Sequence, residues 1–121
     1  MLDPTPCWYV LRTRSRCEKK AALLLAEAGF ETFLPLSREI HRWKDRNKEV
    51  LIPLLSGIVL VKCPAMKLRN ALLIPGVSRI HSHSQKPVTL SDEQVAMVRL
   101  SLLGETKEES TLLLYSIISP L

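Results

Sequence analysis

Positive charge is the chemistry this sequence offers most of, and it comes in two clusters. Arg12, Arg14, Arg16, Lys19 and Lys20 fall in a short stretch with one acid, Glu18. The second cluster sits on the hexapeptide Trp43-Lys44-Asp45-Arg46-Asn47-Lys48, where Arg42, Lys44, Arg46 and Lys48 outnumber Asp45 and Glu49. Cations at this density are either a solvated face or a phosphate-binding surface that works through counterion release. Two such clusters in one small chain favour an acidic partner, with nucleic acid or a nucleic-acid machine leading. A third constellation is His41, His81 and His83 with Asp92 or Glu93. On a strand His81 and His83 share a face, and two imidazoles can share a metal. No third ligand has helpful spacing, and no nucleophile stands beside a base. Glycine occurs four times and never clusters into a phosphate loop. The expectation is a protein that is not an enzyme and carries no metal or cofactor.

The elements that must position these residues are legible from pattern. Trp8-Tyr9-Val10-Leu11-Arg12-Thr13 is aromatic and β-branched and reads as a strand. Trp8 and Tyr9 alternate in side, so one enters the core and the other shapes a surface pocket. Ser15-Arg16-Cys17-Glu18 has the capping-box spacing, and Cys17, Ala21, Leu24, Leu25 and Ala28 form a helical stripe ended by Gly29. Residues 30–42 and 48–62 read as a protruding β-hairpin around the Asp/Asn tip. Pro35 and Pro53 must lie at edges or bends. Trp43 has no evident place in a core. Pro64 opens a short helix that Pro75-Gly76 ends, and residues 77–83 read as a fourth strand. Ser91-Asp92-Glu93-Gln94 is a second capping box, opening a helix with Val95, Val98 and Leu102 on one face and Gly104 at its end. The order β-α-β-β-α-β-α contains the split βαβ arrangement, an α+β, ferredoxin-like antiparallel sheet with helices packed on one side.

Composition agrees. The 121 residues make one domain, 46% hydrophobic and 24% charged, with a net charge of +5. Cys7, Cys17 and Cys63 are odd in number and without metal spacing, which fits a reduced, cytoplasmic protein. No signal peptide or membrane span is evident. The expected division is a disordered N-terminus at 1–6, a domain at 7–104, and a linker with an apolar tail at 105–121. Residues 111–121 read as a strand, able to serve as an oligomerisation edge.

Several anchors then coincide: Trp8-Tyr9-Val10-Leu11, Arg14-Ser15-Arg16-Cys17-Glu18-Lys19-Lys20, Trp43-Lys44-Asp45-Arg46-Asn47-Lys48, Val50-Leu51-Ile52-Pro53-Leu54 with Val59-Leu60-Val61, and Pro75-Gly76-Val77. In this order they resemble the N-terminal (NGN) domain of the NusG/RfaH family of transcription factors. The likeness is closest to the UpxY-type antiterminators of capsular polysaccharide operons. The resemblance implies a domain that bridges the clamp helices and gate loop of bacterial RNA polymerase and favours the processive elongation complex. It implies a clamp-helix face at Tyr9, Arg12, Leu55, Ser56, Gly57, Ile58 and Ile80, and gate-loop contacts at Lys67 and Arg69. It implies contact with the non-template DNA strand, or nascent RNA, at Arg14, Arg16, Lys19 and Lys20. The clamp face in the family usually carries aromatics, where this chain has Leu55, Ile58 and Leu60. Plain core packing is the competing reading of those three. Nothing after Gly104 resembles the family's KOW barrel, so coupling to translation is not expected.

Two readings from other classes stay open. An RNA-binding split βαβ domain stacks bases on exposed aromatics, yet the chain has two Trp, two Tyr and two Phe, and none on the fourth strand. A regulatory decoy, bound to nucleic acid or a partner but not to the polymerase clamp, would suit the missing aromatics.

Overall fold

The structure is a computed structural model that describes residues 4–119. In chain order its elements are β1 (Cys7–Thr13), α1 (Glu18–Glu27), β2 (Glu31–Phe33), β3 (Leu36–Arg42) and β4 (Asn47–Pro53). Then come β5 (Ile58–Cys63), a 3-10 turn (Ala65–Lys67), α2 (Leu68–Ala71), β6 (Val77–Ile80), β7 (Ser82–His83) and β8 (Lys86–Pro87). The chain finishes with β9 (Thr89–Leu90), α3 (Asp92–Gly104) and α4 (Lys107–Ile118). Residues 1–3 of the expected N-terminal segment and 120–121 of the expected tail lie outside the described residues.

β1 organises everything else because it is apolar on both sides. It pairs antiparallel with β5 from Cys7↔Cys63 to Arg12↔Ile58, and β5 pairs with β2. Its other edge is shared, β6 taking Leu11 to Thr13 and β9 taking Trp8 and Tyr9. The order β2-β5-β1-β6 is that of a split βαβ sheet. Tyr9, Leu11, Val59, Val61 and Val77 bury one face against α1 and α2. Trp8, Val10, Ile58, Leu60 and Leu90 bury the other against Val95 and Val98 of α3 and Leu114 and Ile118 of α4. The α1 and α2 side is the one-sided packing expected from the pattern; α3 and α4 close the opposite side. Both Trp8 and Tyr9 therefore enter the core, where one was expected to stay at the surface.

Local signals decide most boundaries. Gly29, at φ +97, ends α1 in a Schellman motif, with Phe30 N–H donating to Leu25 O and Gly29 N–H to Ala26 O. The box at Ser91 forms in full, with Gln94 N–H donating to Ser91 Oγ and Ser91 N–H to Gln94 Oε1. The one expected at Ser15 does not form: Cys17 is the N-cap and no side chain caps it. Glu18 instead accepts the Gly57 N–H at 2.8 Å, across the sheet end.

The two long runs at 30–42 and 48–62 are each broken. Pro35 separates β2 from β3 and Pro53 ends β4, with Leu54 N–H donating to Pro35 O at 2.9 Å. The runs thus give two strands to the main sheet and two to a separate hairpin, β3–β4, registered from Leu36↔Pro53 to Arg42↔Asn47. The stretch 77–83 splits at His81, whose N–H donates to Val10 O.

Where a strand was expected at 111–121, the described residues form a helix as far as Ile118. Ser110, Leu114 and Ile118 are its buried residues, spaced at i, i+4 and i+8, and Thr106 caps it by accepting the Glu109 N–H. Among the described residues no helix is long and apolar enough to cross a membrane.

Candidate functional site

The end of the sheet where β1 stops and β5 begins gathers the largest share of the candidate residues. Gly57 reaches a φ of +74 in the loop between β4 and β5. That conformation suits glycine, and it lets Gly57 O accept the Thr13 N–H at 2.9 Å while its own N–H meets Glu18. The loop is thereby tied to β1 and α1 together. Arg12, Leu55, Ser56 and Ile58 line a cavity of about 220 Å³ there, along with His81, Tyr115, Ile118 and Ser119. Ile58 forms the floor, buried in the core, as is Leu60; Leu55 is half-buried and Ser56 exposed. Ile58 and Leu60 pack in the core, and Leu55 is half-buried against the same cluster.

Tyr9 and Ile80 do not join this face. Both belong to the cluster beneath α1 and α2, on the other side of the sheet from Ile58. Burial pushes the Tyr9 phenol above its ordinary pKa, helped by Cys7 and Cys63. Lys67 and Arg69 are exposed near the opposite end of β5, by Cys63. With β5 spanning Ile58–Cys63, strand rise puts its two ends roughly 16 Å apart. Lys67 there lines a separate cavity of about 510 Å³ with Lys62, Glu31 and Asn70.

Arg14 and Arg16 are exposed on the connection into α1, and Lys19 and Lys20 on its first turn, directly after the Arg12 cavity. Arg14 N–H donates to Gly76 O at 2.8 Å, and Arg16 takes a left-handed φ of +61, which fixes the path of this loop. None of the four belongs to an ion pair among the described residues; the pairs formed are Arg38–Glu49, His41–Glu39, Lys62–Asp92 and Lys107–Glu39. Sequence reasoning missed Arg79, which stands directly opposite Arg12 across β1 and β6 and is exposed. Alternation alone would put Arg79 on the face of Val77; the register shift between Arg12 and Thr13 breaks that pattern, so no local signal marked Arg79.

The hairpin carries the second cluster away from this site. Arg42, Lys44, Arg46 and Lys48 are exposed. Trp43 is 54% exposed, with Lys48 Nζ 5.8 Å from its ring centroid, so it packs along the hairpin. The middle of β3 is held to α4 by Lys107 on Glu39, whose carboxyl is lowered from its ordinary pKa chiefly by that hydrogen bond. Of the histidines, His81 is half-buried with Nε2 2.9 Å from Ile118 O, and His83 is exposed on β7. Among the described residues no group of three His, Cys, Asp or Glu is placed to hold a metal.

Comparison with known proteins decides the class. The family model described as "Transcription termination factor nusG" matches residues 6–99, most of the chain. The chain belongs to the NusG family. A solved structure concerned with domain interaction in Thermotoga maritima NusG matches the fold with a TM-score of 0.56 at 20% identity. The match covers 83% of this chain and 58% of that one, so this NusG-family domain spans little more than half of that protein's length. That family's description is of a transcription termination factor.

Proposed function

We propose that this NusG-family domain binds bacterial RNA polymerase through the clamp helices, using the β1–β5 end of the sheet, and stabilises the elongating enzyme. The observation that carries the reading is the junction of two surfaces. A concave face with Arg12, Leu55 and Ser56 lies immediately beside unpaired Arg14, Arg16, Lys19 and Lys20. A protein helix fits the first, and the non-template DNA strand the second. Lys67 and Arg69, at the far end of β5, supply the gate-loop contact, so the domain spans the cleft rather than gripping one wall. Such a factor acts by differential binding, shifting polymerase toward the state it prefers and only by the margin of that preference. The spacing of the sequence anchors further favours the UpxY type, antitermination, and service to a particular operon such as one for capsular polysaccharide.

The test is binding to an isolated clamp-helix coiled coil. Leu55→Asp is the control, since it alters the half-exposed rim and spares the buried Ile58. Saturable binding lost in the variant, with the variant still folded, supports the reading. A second reading, nucleic-acid binding without the clamp, is favoured by the missing aromatics and the unpaired cations. It predicts no clamp binding, but single-strand binding whose log K falls with log salt by about 0.7 per phosphate neutralised.

A further inference from the structure

The cavity at Arg12 has a chemistry of its own. Arg12 Nε is buried and meets no acceptor among the described residues. A buried charged donor left unmatched is costly, and more so than a neutral one. The nearest charged neighbour in register is Arg79, which adds positive charge instead of relieving it. Glu18, the acid that follows Arg12 most closely in sequence, is engaged with the Gly57 N–H. Leu55, Ile58 and Ile118 give the cavity apolar walls, and Ser56 and Tyr115 also line it.

We infer that this cavity is a receptor for one carboxylate side chain presented by a partner helix. At about 220 Å³ it is smaller than the roughly 300–1,000 Å³ of a small-molecule site, and suits a side chain. A guanidinium fork matches a carboxylate in two parallel hydrogen bonds. The apolar walls then take the methylene stem of a glutamate, which a phosphate lacks. A nucleic-acid backbone is served by the open cations at Arg14 to Lys20, not by a walled cavity. The inference rests on the polymerase reading only in assigning the glutamate to the clamp helices. It replaces the aromatic contact that Leu55 and Ile58 do not provide with an ionic one.

The Arg12 Nε–Hε resonance of the nitrogen-labelled chain reports directly. It is followed while adding a short helical peptide with one central glutamate, its glutamine counterpart, or inorganic phosphate. A saturating shift with the glutamate peptide, at least about tenfold weaker with glutamine, is expected. Arg12→Lys, which keeps the charge and loses the fork, should weaken binding, and Arg12→Gln should remove it; thermal melts confirm that both are folded. No saturation, equal binding of the glutamine peptide, or phosphate binding as tight as glutamate would overturn the inference. The clamp-helix coiled coil separates the two claims. Clamp binding that survives Arg12→Gln but not Leu55→Asp overturns the carboxylate receptor and keeps polymerase as partner. Peptide recognition without clamp binding keeps the receptor and removes polymerase.

Discussion

Glu18 is the acid whose neighbours in sequence say least about what it does. Its spacing from Ser15 fits a capping box, yet its carboxylate holds the Gly57 N–H, thirty-nine positions away. Glu18→Ala should cost about 1–3 kcal/mol by leaving a partly buried donor unmatched, with Glu18→Gln much milder, both read by urea denaturation. Asp92 accepts from Trp8 Nε1 at 2.9 Å and pairs with Lys62 at 3.0 Å. Lys62 first and Trp8 second hold its carboxyl below the ordinary range. The unfolded chain takes up that proton more readily, so the stabilisation is present above the ordinary carboxylate pKa and lost as pH falls through the lowered one. Asp92→Asn should therefore flatten the acid limb of Tm against pH. Tyr9 and Cys63 run the other way, both raised chiefly by burial. Their unfolded forms lose protons first, so stability is whole below the ordinary values and falls as pH rises through the raised ones. Tyr9→Phe should reduce the loss of Tm above about pH 10.

Among elements, β1 as a strand and α1 as a helix follow closely from local pattern, while the pairing of the chain after them does not. The Pro35 and Pro53 breaks were visible as residues that cannot donate to a ladder. What they could not show was that the flanking runs divide between two sheets, because pairing partners are chosen by β1 and not by the hairpin turn. The β1–α1 loop depends likewise on a distant contact. Gly76 sits at φ +93 with its absent Cβ directed at Cys17 Cβ, 3.2 Å away. Gly76→Ala should cost about 1–3 kcal/mol through backbone strain alone, visible as a lowered Tm, and should loosen Arg14 from its hydrogen bond to Gly76 O. α4 was misread as a strand because Leu112, Leu113, Leu114, Ile117 and Ile118 are too dense for their period to show. The buried Ser110, Leu114 and Ile118 resolve it only once the sheet has chosen a face.

At the scale of the molecule, α3 and α4 complete a core that the four-stranded pattern left open on one side. Leu114 is fully buried against that face. Leu114→Ala should destabilise by about 2–5 kcal/mol, the range for a large-to-small change in a packed core, measured by denaturant unfolding. The same helix contributes Tyr115 and Ile118 to the Arg12 cavity, so core and candidate site share a wall. The sequence by itself determined the strand and helix types around β1 and α1, the split βαβ order, the basic stretch at Arg14 to Lys20, and the family, because these rest on local pattern and ordered anchors. Only the tertiary structure decided that Tyr9 and Ile80 lie across the sheet from Ile58, that Ile58 is core, and that Arg12 stands beside Arg79. The physical reason is register. A strand shows its two faces equally in sequence, and only the pairing of β1 with β5, β6 and β9, with helices closing each side, fixes which residues meet.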